Sequence, residues 1–183
     1  MSKSANPNDV IDFWFDERVK PLWFKKKEEF DRKIKERFID IYRLAKTGAL
    51  DGWRNNASDT LALIIVLDQF PRNMFRDTAQ AFATDGQAAE LTKYAVDRNY
   101  QNSLTEEQQT FLYMPLMHSE DKQDQNRCVE LFAKLGREDN LKFAIKHQKI
   151  IDRFGRFPHR NQILGRKSTQ TEQEFLTQPG SSF

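Results

Sequence analysis

The run Ser58-Asp59-Thr60-Leu61-Ala62-Leu63-Ile64-Ile65-Val66-Leu67-Asp68-Gln69-Phe70-Pro71-Arg72-Asn73 decides how the rest of the chain is read. Its centre, Leu61 to Leu67, is apolar on every side, and over so few residues a buried helix and a buried strand look alike. Ser58 and Asp59 offer a helix-opening cap and no hairpin partner lies nearby, so the stretch reads as a central helix. It is also far too short to span a bilayer.

Outward from this helix the apolar residues keep helical spacing. Asn8 is placed to cap a short helix carrying Val10, Ile11, Phe13 and Trp14, with Pro7 outside it, which leaves residues 1–7 as an expected disordered tail. Phe30, Ile34, Phe38, Ile41 and Ala45 recur at three- and four-residue steps until Gly48, the expected cap of a long amphipathic helix. Its charged outer face reads as solvation. Thr84 opens a helix with Leu91, Tyr94 and Ala95. Thr105-Glu106-Glu107-Gln108 is a capping box for a helix through Phe111, Leu112 and Tyr113, which Pro115 should stop or kink. Further helices are expected from about Asp121 to Leu135, ending at Gly136, and from about Glu138 to Phe154, ending at Gly155. In the latter, Leu141, Ala144, Ile145, Gln148, Ile151 and Phe154 should face inward. Thr169-Gln170-Thr171-Glu172 is a second capping box, for a last short helix before Pro179. The expectation is an all-α fold of about eight helices in antiparallel pairs, with no linker to divide residues 1–183 into more than one domain.

Composition narrows the function classes. Fifteen Phe in 183 residues supply a substantial core, while a charged fraction of 31% gives a wet exterior. A formal net charge of +2 is too small to argue for nucleic acid, which calls for a clustered basic face. The lone Cys128 cannot form an internal disulfide and sits at an apolar helical position, as a buried, inert thiol would in a reducing compartment. With no basic-then-apolar leader, a cytoplasmic protein without membrane partners is expected.

One pattern occurs twice. Leu67-Asp68-Gln69-Phe70-Pro71-Arg72-Asn73 is echoed by Ile151-Asp152-Arg153-Phe154 followed by Phe157-Pro158-His159-Arg160-Asn161, the second copy carrying an insertion from Gly155 to Phe157. A residue before proline avoids the α region and proline suits the first position of a helix, so each copy should break and restart. Arg72, Asn73, His159, Arg160 and Asn161 would then lie in first turns, where free N–H groups favour anions and an arginine fork adds a planar clamp. From Arg153 to Thr171 there is no acidic residue, yet Arg153, Arg156, Arg160, Arg166 and Lys167 all fall there. The structural alternative is that these arginines close helix ends or pair with acids such as Asp68 and Asp152. The spacing of the copies does not match the roughly 34-residue tetratricopeptide period.

The second polar constellation is His118-Ser119-Glu120-Asp121, after Pro115. Ser119 as a cap with both acids in the first turn explains it structurally. The functional reading makes His118 a proton shuttle oriented by Glu120, with an arginine holding an anionic substrate. A metal site from His118, Glu120, Asp124 and His159 matches no helical zinc spacing and is set aside, and neither a nucleophile elbow nor a phosphate-cradling glycine loop occurs. No metal and no cofactor is therefore expected, and His147, among Lys146 and Lys149, reads as surface. The candidates are His118, His159 and Glu120 for catalysis, and Asp68, Arg72, Asn73, Arg156, Arg160 and Asn161 for ligand binding.

Several strings together resemble one bacterial family. They are Asp12-Phe13-Trp14-Phe15, the Leu67-to-Asn73 segment, Phe82-Ala83-Thr84-Asp85, Phe111 through Glu120, Phe154 through Asn161, Leu164-Gly165-Arg166 and the terminal Pro179-Gly180-Ser181-Ser182-Phe183. The family is the one called domain of unknown function 924, and the resemblance runs from about Val10 to the last residue. It implies an all-α fold similar to tetratricopeptide-like helical arrays, and it implies no activity.

Two functional expectations follow. One is a helical interaction module that recognises a peptide or protein partner. The other is a small-anion-binding protein or enzyme, with a pocket built from segments 68–73, 118–121 and 156–161. The tail at Phe183 is a further candidate, expected to fold back and plug the core.

Overall fold

The computed structural model describes residues 5–182, and among them lie eight α-helices, five short 3-10 turns and no strand. The helices are α1 (Pro7–Trp14), α2 (Glu28–Lys46), α3 (Ala57–Met74), α4 (Asp85–Asp97), α5 (Glu106–His118), α6 (Lys122–Leu135), α7 (Glu138–Phe154) and α8 (Gln170–Leu176). They form two compact units, one of residues 5–76 and 80–115, the other of residues 77–79 and 116–182.

The first unit is organised by α3. Because its central run is apolar on every side, every residue from Thr60 to Pro71 is buried, and α1, α2 and α4 all pack against it. Helix α2 contributes one stripe, Phe30, Ile34, Phe38, Tyr42 and Ala45, with Tyr42 in the place where Ile41 was expected. The core is strongly aromatic. Phe38 stacks on Phe70 at 4.6 Å, Trp14 meets Phe70 and Phe111 edge-on at 5.6 Å each, and Trp23 meets Phe111 edge-on at 4.5 Å. Such offset and edge contacts add roughly 0.5–1.5 kcal/mol per pair beyond the buried area.

Local signals set most helix starts, with three corrections. Asn6, not Asn8, caps α1 by accepting from the Asn8 N–H, and Pro7 is its first residue; of the expected disordered tail, residues 1–4 lie outside the described residues. Asn56, not Ser58, caps α3 through the Asp59 N–H. Asp121, not Ser119, caps α6, accepting from Gln123 and Asp124. Both capping boxes form: Thr105 and Gln108 exchange bonds at the start of α5, and Thr169 and Glu172 do so at α8.

The largest departure concerns the prolines. Neither Pro71 nor Pro115 ends its helix; both lie inside, and α3 runs on to Met74 with the Phe75 N–H bonded to the Pro71 carbonyl. An internal proline leaves the carbonyl four residues earlier without its N–H. For Pro71 that carbonyl is Leu67, and the buried Thr84 hydroxyl supplies the missing donor at 2.5 Å. Near Pro115, the buried Thr92 hydroxyl donates to the Leu112 carbonyl at 2.7 Å.

In the second unit α6 and α7 pack together, and Gly136 and Gly155 end them at φ +75° and +69°, conformations an L side chain adopts only with strain. Ile150, Ile151 and Phe157 form a core cluster with Phe154 and Phe175 against it. The inward stripe of α7 is Ala144, His147, Ile150 and Ile151. His147, expected at the surface, is buried, because α7 turns that stripe inward and not the one through Leu141 and Gln148. Among the described residues no helix is long and apolar enough to cross a membrane.

Candidate functional site

The first echo segment, at the end of α3, is bound into the first unit by carboxylates. Asp68 is fully buried; its carboxylate accepts from the Gln69 amide at 2.6 Å and forms an ion pair with Arg72 at 3.2 Å, and Arg72 also donates to the Asp68 carbonyl at 2.6 Å. Arg72 then spreads its fork over both oxygens of Asp85, at 2.9 and 3.0 Å, which ties α3 to the first residue of α4. Burial works against the Arg72 charge, and Asp68 and Asp85 more than restore it. Asn73 donates to Asp31 at 2.8 Å, and Arg76 holds the same carboxylate with two bonds, which ties the end of α3 to the first turn of α2. Because α3 continues past Pro71, Arg72 and Asn73 sit in a last turn, not the first turn expected of them.

The second echo segment builds a different network, confined to the second unit. Glu120 accepts two bonds from Arg166, at 2.6 and 2.9 Å, and one from the Phe157 N–H at 2.8 Å. Burial pushes the Glu120 carboxyl up, but Arg166 and that N–H outweigh it and hold it below its ordinary range. Arg166 also donates to Asn161 at 2.9 Å, and Asn161 donates to Ser168 and Glu172. Glu172, buried beneath, accepts both arms of Arg156, and that guanidinium takes its carboxyl down to about 2. Asp152, the counterpart of Asp68, is exposed and only 3.8 Å from Lys122. The two copies therefore share a sequence pattern without sharing a structure. One runs through its proline as helix; the other ends at Gly155 and restarts as a 3-10 turn, Pro158–Arg160.

The ring of Phe157 gathers the remaining candidates of this unit. His147 meets it edge-on at 5.6 Å, His159 lies at 5.7 Å, and the Arg160 guanidinium sits over it at 4.6 Å. The Nδ1 of His147 faces the Phe143 carbonyl at 2.8 Å; a carbonyl only accepts, so this nitrogen carries the proton. Burial drives the His147 pKa down to about 3 and that of His159 to about 4, with Arg160 and His118 adding positive charge to both. At neutral pH both rings are thus uncharged. His118 is the last residue of α5, half-buried. Among the described residues no group of three His, Cys, Asp or Glu side chains is placed to hold a metal ion.

A feature that no motif announced lies in the first unit. A groove of about 490 Å³ runs between α1 and the first half of α2. Phe13 and Phe30 floor it with Val19 and Leu22, and it is edged by Asp12, Asp16, Arg18, Lys27, Glu29, Lys33 and Arg37. Asp16 is claimed by Arg18 through two side-chain bonds, which hold its carboxyl well below the carboxylate range. Lys33 and Arg37 both approach the Phe13 ring, at 5.8 and 5.1 Å. This is the charged outer face of α2 that reads as solvation from sequence. The available signal was weak: two cations four residues apart, where Glu29 four residues before Lys33 suggests an ordinary pair. That pair does not form among the ion pairs of the described residues.

Comparison with known proteins adds the lineage. The family described as bacterial protein of unknown function, DUF924, matches residues 10–180. A solved structure of a protein of unknown function from Agrobacterium tumefaciens is similar over 93% of this chain and 96% of that one, at 40% identity and a TM-score of 0.88. No curated protein matches. The strings that resemble the family, the all-helical fold and this match over residues 10–180 agree, and the chain belongs to the bacterial family of unknown function DUF924.

Proposed function

We propose that the protein is a helical binding module that receives a segment of a peptide or protein partner in the groove between α1 and α2. The supporting observation is the groove itself: about 490 Å³, floored by two buried phenylalanines and edged by charges of both signs. Tetratricopeptide-like arrays of helical pairs bind extended segments on such faces. A net charge of +2 favours a polypeptide over nucleic acid, and the lone buried thiol of Cys128 suits a cytoplasmic setting. The echo segments are then scaffold, since Arg72, Arg156 and Arg166 each grip a carboxylate with two bonds.

The test uses two labelled variants, each carrying Cys128→Ala: Glu29→Cys at the groove and Asp139→Cys on the outer face of α7. Peptides selected on the wild-type protein from a random display library should change the fluorescence of a label at position 29 and leave one at 139 unchanged. Selection without binders, or binders that leave position 29 silent, overturns the reading.

A second reading, a small-anion site or enzyme, draws on the gathering of His147, His159 and Arg160 about Phe157, with His118 adding its charge and Glu120 anchoring the Phe157 backbone. The chain has only three histidines, so nuclear magnetic resonance of the ring nitrogens follows each one. Saturable shifts of His118 and His159 on adding inorganic phosphate support this reading, and unchanged signals remove it.

A further inference from the structure

We propose that the groove is built to receive an acidic side chain of an extended partner segment, clamped between Lys33 and Arg37 on the shelf of Phe13. This rests on the binding-module reading and names the chemistry of its ligand.

Helix geometry supplies the first argument. Residues 33 and 37 are one turn apart on α2 and point to the same face. Like charges at this spacing destabilise a helix, so an acid nearby is the usual compensation. Around α2 that compensation is present elsewhere: Arg32 faces Glu36 and Arg43 holds Asp40. Among the described residues neither Lys33 nor Arg37 has a carboxylate within ion-pair distance, and the Lys33 charge reaches only as far as helping Arg18 to lower the Asp16 carboxyl. The two cations instead share an aromatic face, where Arg37 lies 5.1 Å from both Phe13 and Phe38 and Lys33 lies 5.8 Å from Phe13. A ring face steadies a cation and leaves its N–H donors pointing outward. A carboxylate laid over this shelf would receive an ammonium and a guanidinium fork at once, with Phe13 and Phe30 excluding water below it.

Acidic side chains line the groove as well. Asp12 on α1 and Glu29, one turn before Lys33 on the same face of α2, line the groove and have no ion pair among the described residues. A groove that carries charge of both signs, of which only Asp16 and Arg18 pair internally, complements a running segment that alternates acid and base more closely than a free anion. The acid of that segment belongs at Lys33 and Arg37, and a base two or more residues away belongs at Asp12 or Glu29. The occupant is therefore a mixed-charge peptide segment with an internal Asp or Glu, not a C-terminal carboxylate.

The test is an array of eight-residue peptides, amidated at their C-termini, in which Asp, Glu, Lys, Arg and apolar residues are varied at each position. It is probed with the full-length wild-type protein and with K33E/R37E. Retention by wild type should concentrate on peptides with Asp or Glu, and fall roughly tenfold in affinity when that residue becomes its amide, a change of about 1.4 kcal/mol. The charge-reversed variant should select Lys- or Arg-bearing peptides at the same position. Both side chains are exposed, so reversal does not threaten the fold, and an unchanged circular dichroism spectrum checks this. Peptides retained with no preference for acids, and equally by both proteins, overturn the clamp and leave the binding module standing. An array that stays blank removes the module as well, and a dimer in sedimentation that K33E/R37E dissolves assigns the groove to a second copy and overturns the peptide occupant.

Discussion

The Thr84 hydroxyl sits 2.5 Å from the carbonyl of Leu67, the one backbone acceptor in α3 that Pro71 deprives of its donor. A proline in a helix interior costs about 3 kcal/mol or more, part of it from that unmet carbonyl. A side chain from the start of α4 meets the need, so the buried helix passes through its proline.

Replacing Thr84 by Val keeps the shape and removes the donor, leaving a buried carbonyl unpaired. The expected loss is about 2 kcal/mol, or roughly 4–8 °C in Tm for a chain of this length. In a Pro71→Ala background the restored N–H can serve Leu67, and Thr84→Val should cost about 1 kcal/mol less. A cycle in which the two changes are additive would show that Thr84 does not act through the proline.

Glu120→Gln should lower stability by about 2 kcal/mol, because it removes the charge from a carboxylate that joins Arg166 to the Phe157 backbone. Arg166→Lys should recover little, since one ammonium cannot reach both oxygens and the Asn161 amide together. Denaturant titration of each variant reads the loss. A near-neutral Glu120→Gln would return Glu120 to the catalytic candidates.

His147 gives a pH dependence with a definite sign. Its folded pKa of about 3 lies below the ordinary value of 6.5, so between these limits the unfolded chain binds the proton and the folded one refuses it. Stability should be unaffected by this residue above pH 6.5 and fall by up to about 1.4 kcal/mol per unit as the pH drops below it. His159, at about 4, works in the same direction. His147→Leu should flatten the curve of stability against pH in this window. An unaltered slope would mean that the ring already carries its charge in the fold.

The thiol of Cys128 is fully buried, and burial pushes its pKa up. A thiol reagent should label the native protein slowly and the denatured protein at once. During urea titration, labelling should rise together with the loss of helical signal. Rapid native labelling would place Cys128 in an opening that the packed α6 does not provide.

Gly155 and Gly86 separate strain from space. Nothing lies within 4 Å of an added Cβ at either, yet Gly155 has φ +69° and Gly86 sits in the first turn of α4. Gly155→Ala should cost about 1 kcal/mol, and Gly86→Ala should be neutral or slightly stabilising. Equal melting temperatures would contradict the left-handed cap.

Much of this architecture was readable one helix at a time. Thr105 with Gln108 and Thr169 with Glu172 announce their helices because both partners of a capping box lie within four residues. Gly136 and Gly155 mark helix ends for the same local reason. The echo was readable too, but its meaning was not. Asp68 is fully buried and Asp152 is exposed, although each lies two residues before a Phe of the echo, because only α3 is apolar on every side. In α7 the expected inward stripe meets the observed one at Ala144 and Ile151, but His147 and Ile150 are buried in place of Leu141, Ile145 and Gln148, which puts His147 inside.

Residue spacing and matching strings along the chain were enough to show that it is helical, where most helices begin and end, that the Leu61–Leu67 run is central, and which family the chain belongs to. These features depend on interactions across a few residues or on whole strings of identity. Packing in three dimensions sets how Pro71 is tolerated, that Arg72 serves Asp85, that Arg76 and Asn73 serve Asp31, and that Arg166 serves Glu120. It also set Lys33 and Arg37 side by side over Phe13. An arginine's fork fits any carboxylate, and an orphan carbonyl accepts from any hydroxyl. Which partner arrives is settled by the packing of apolar faces, and spacing along the chain does not record it.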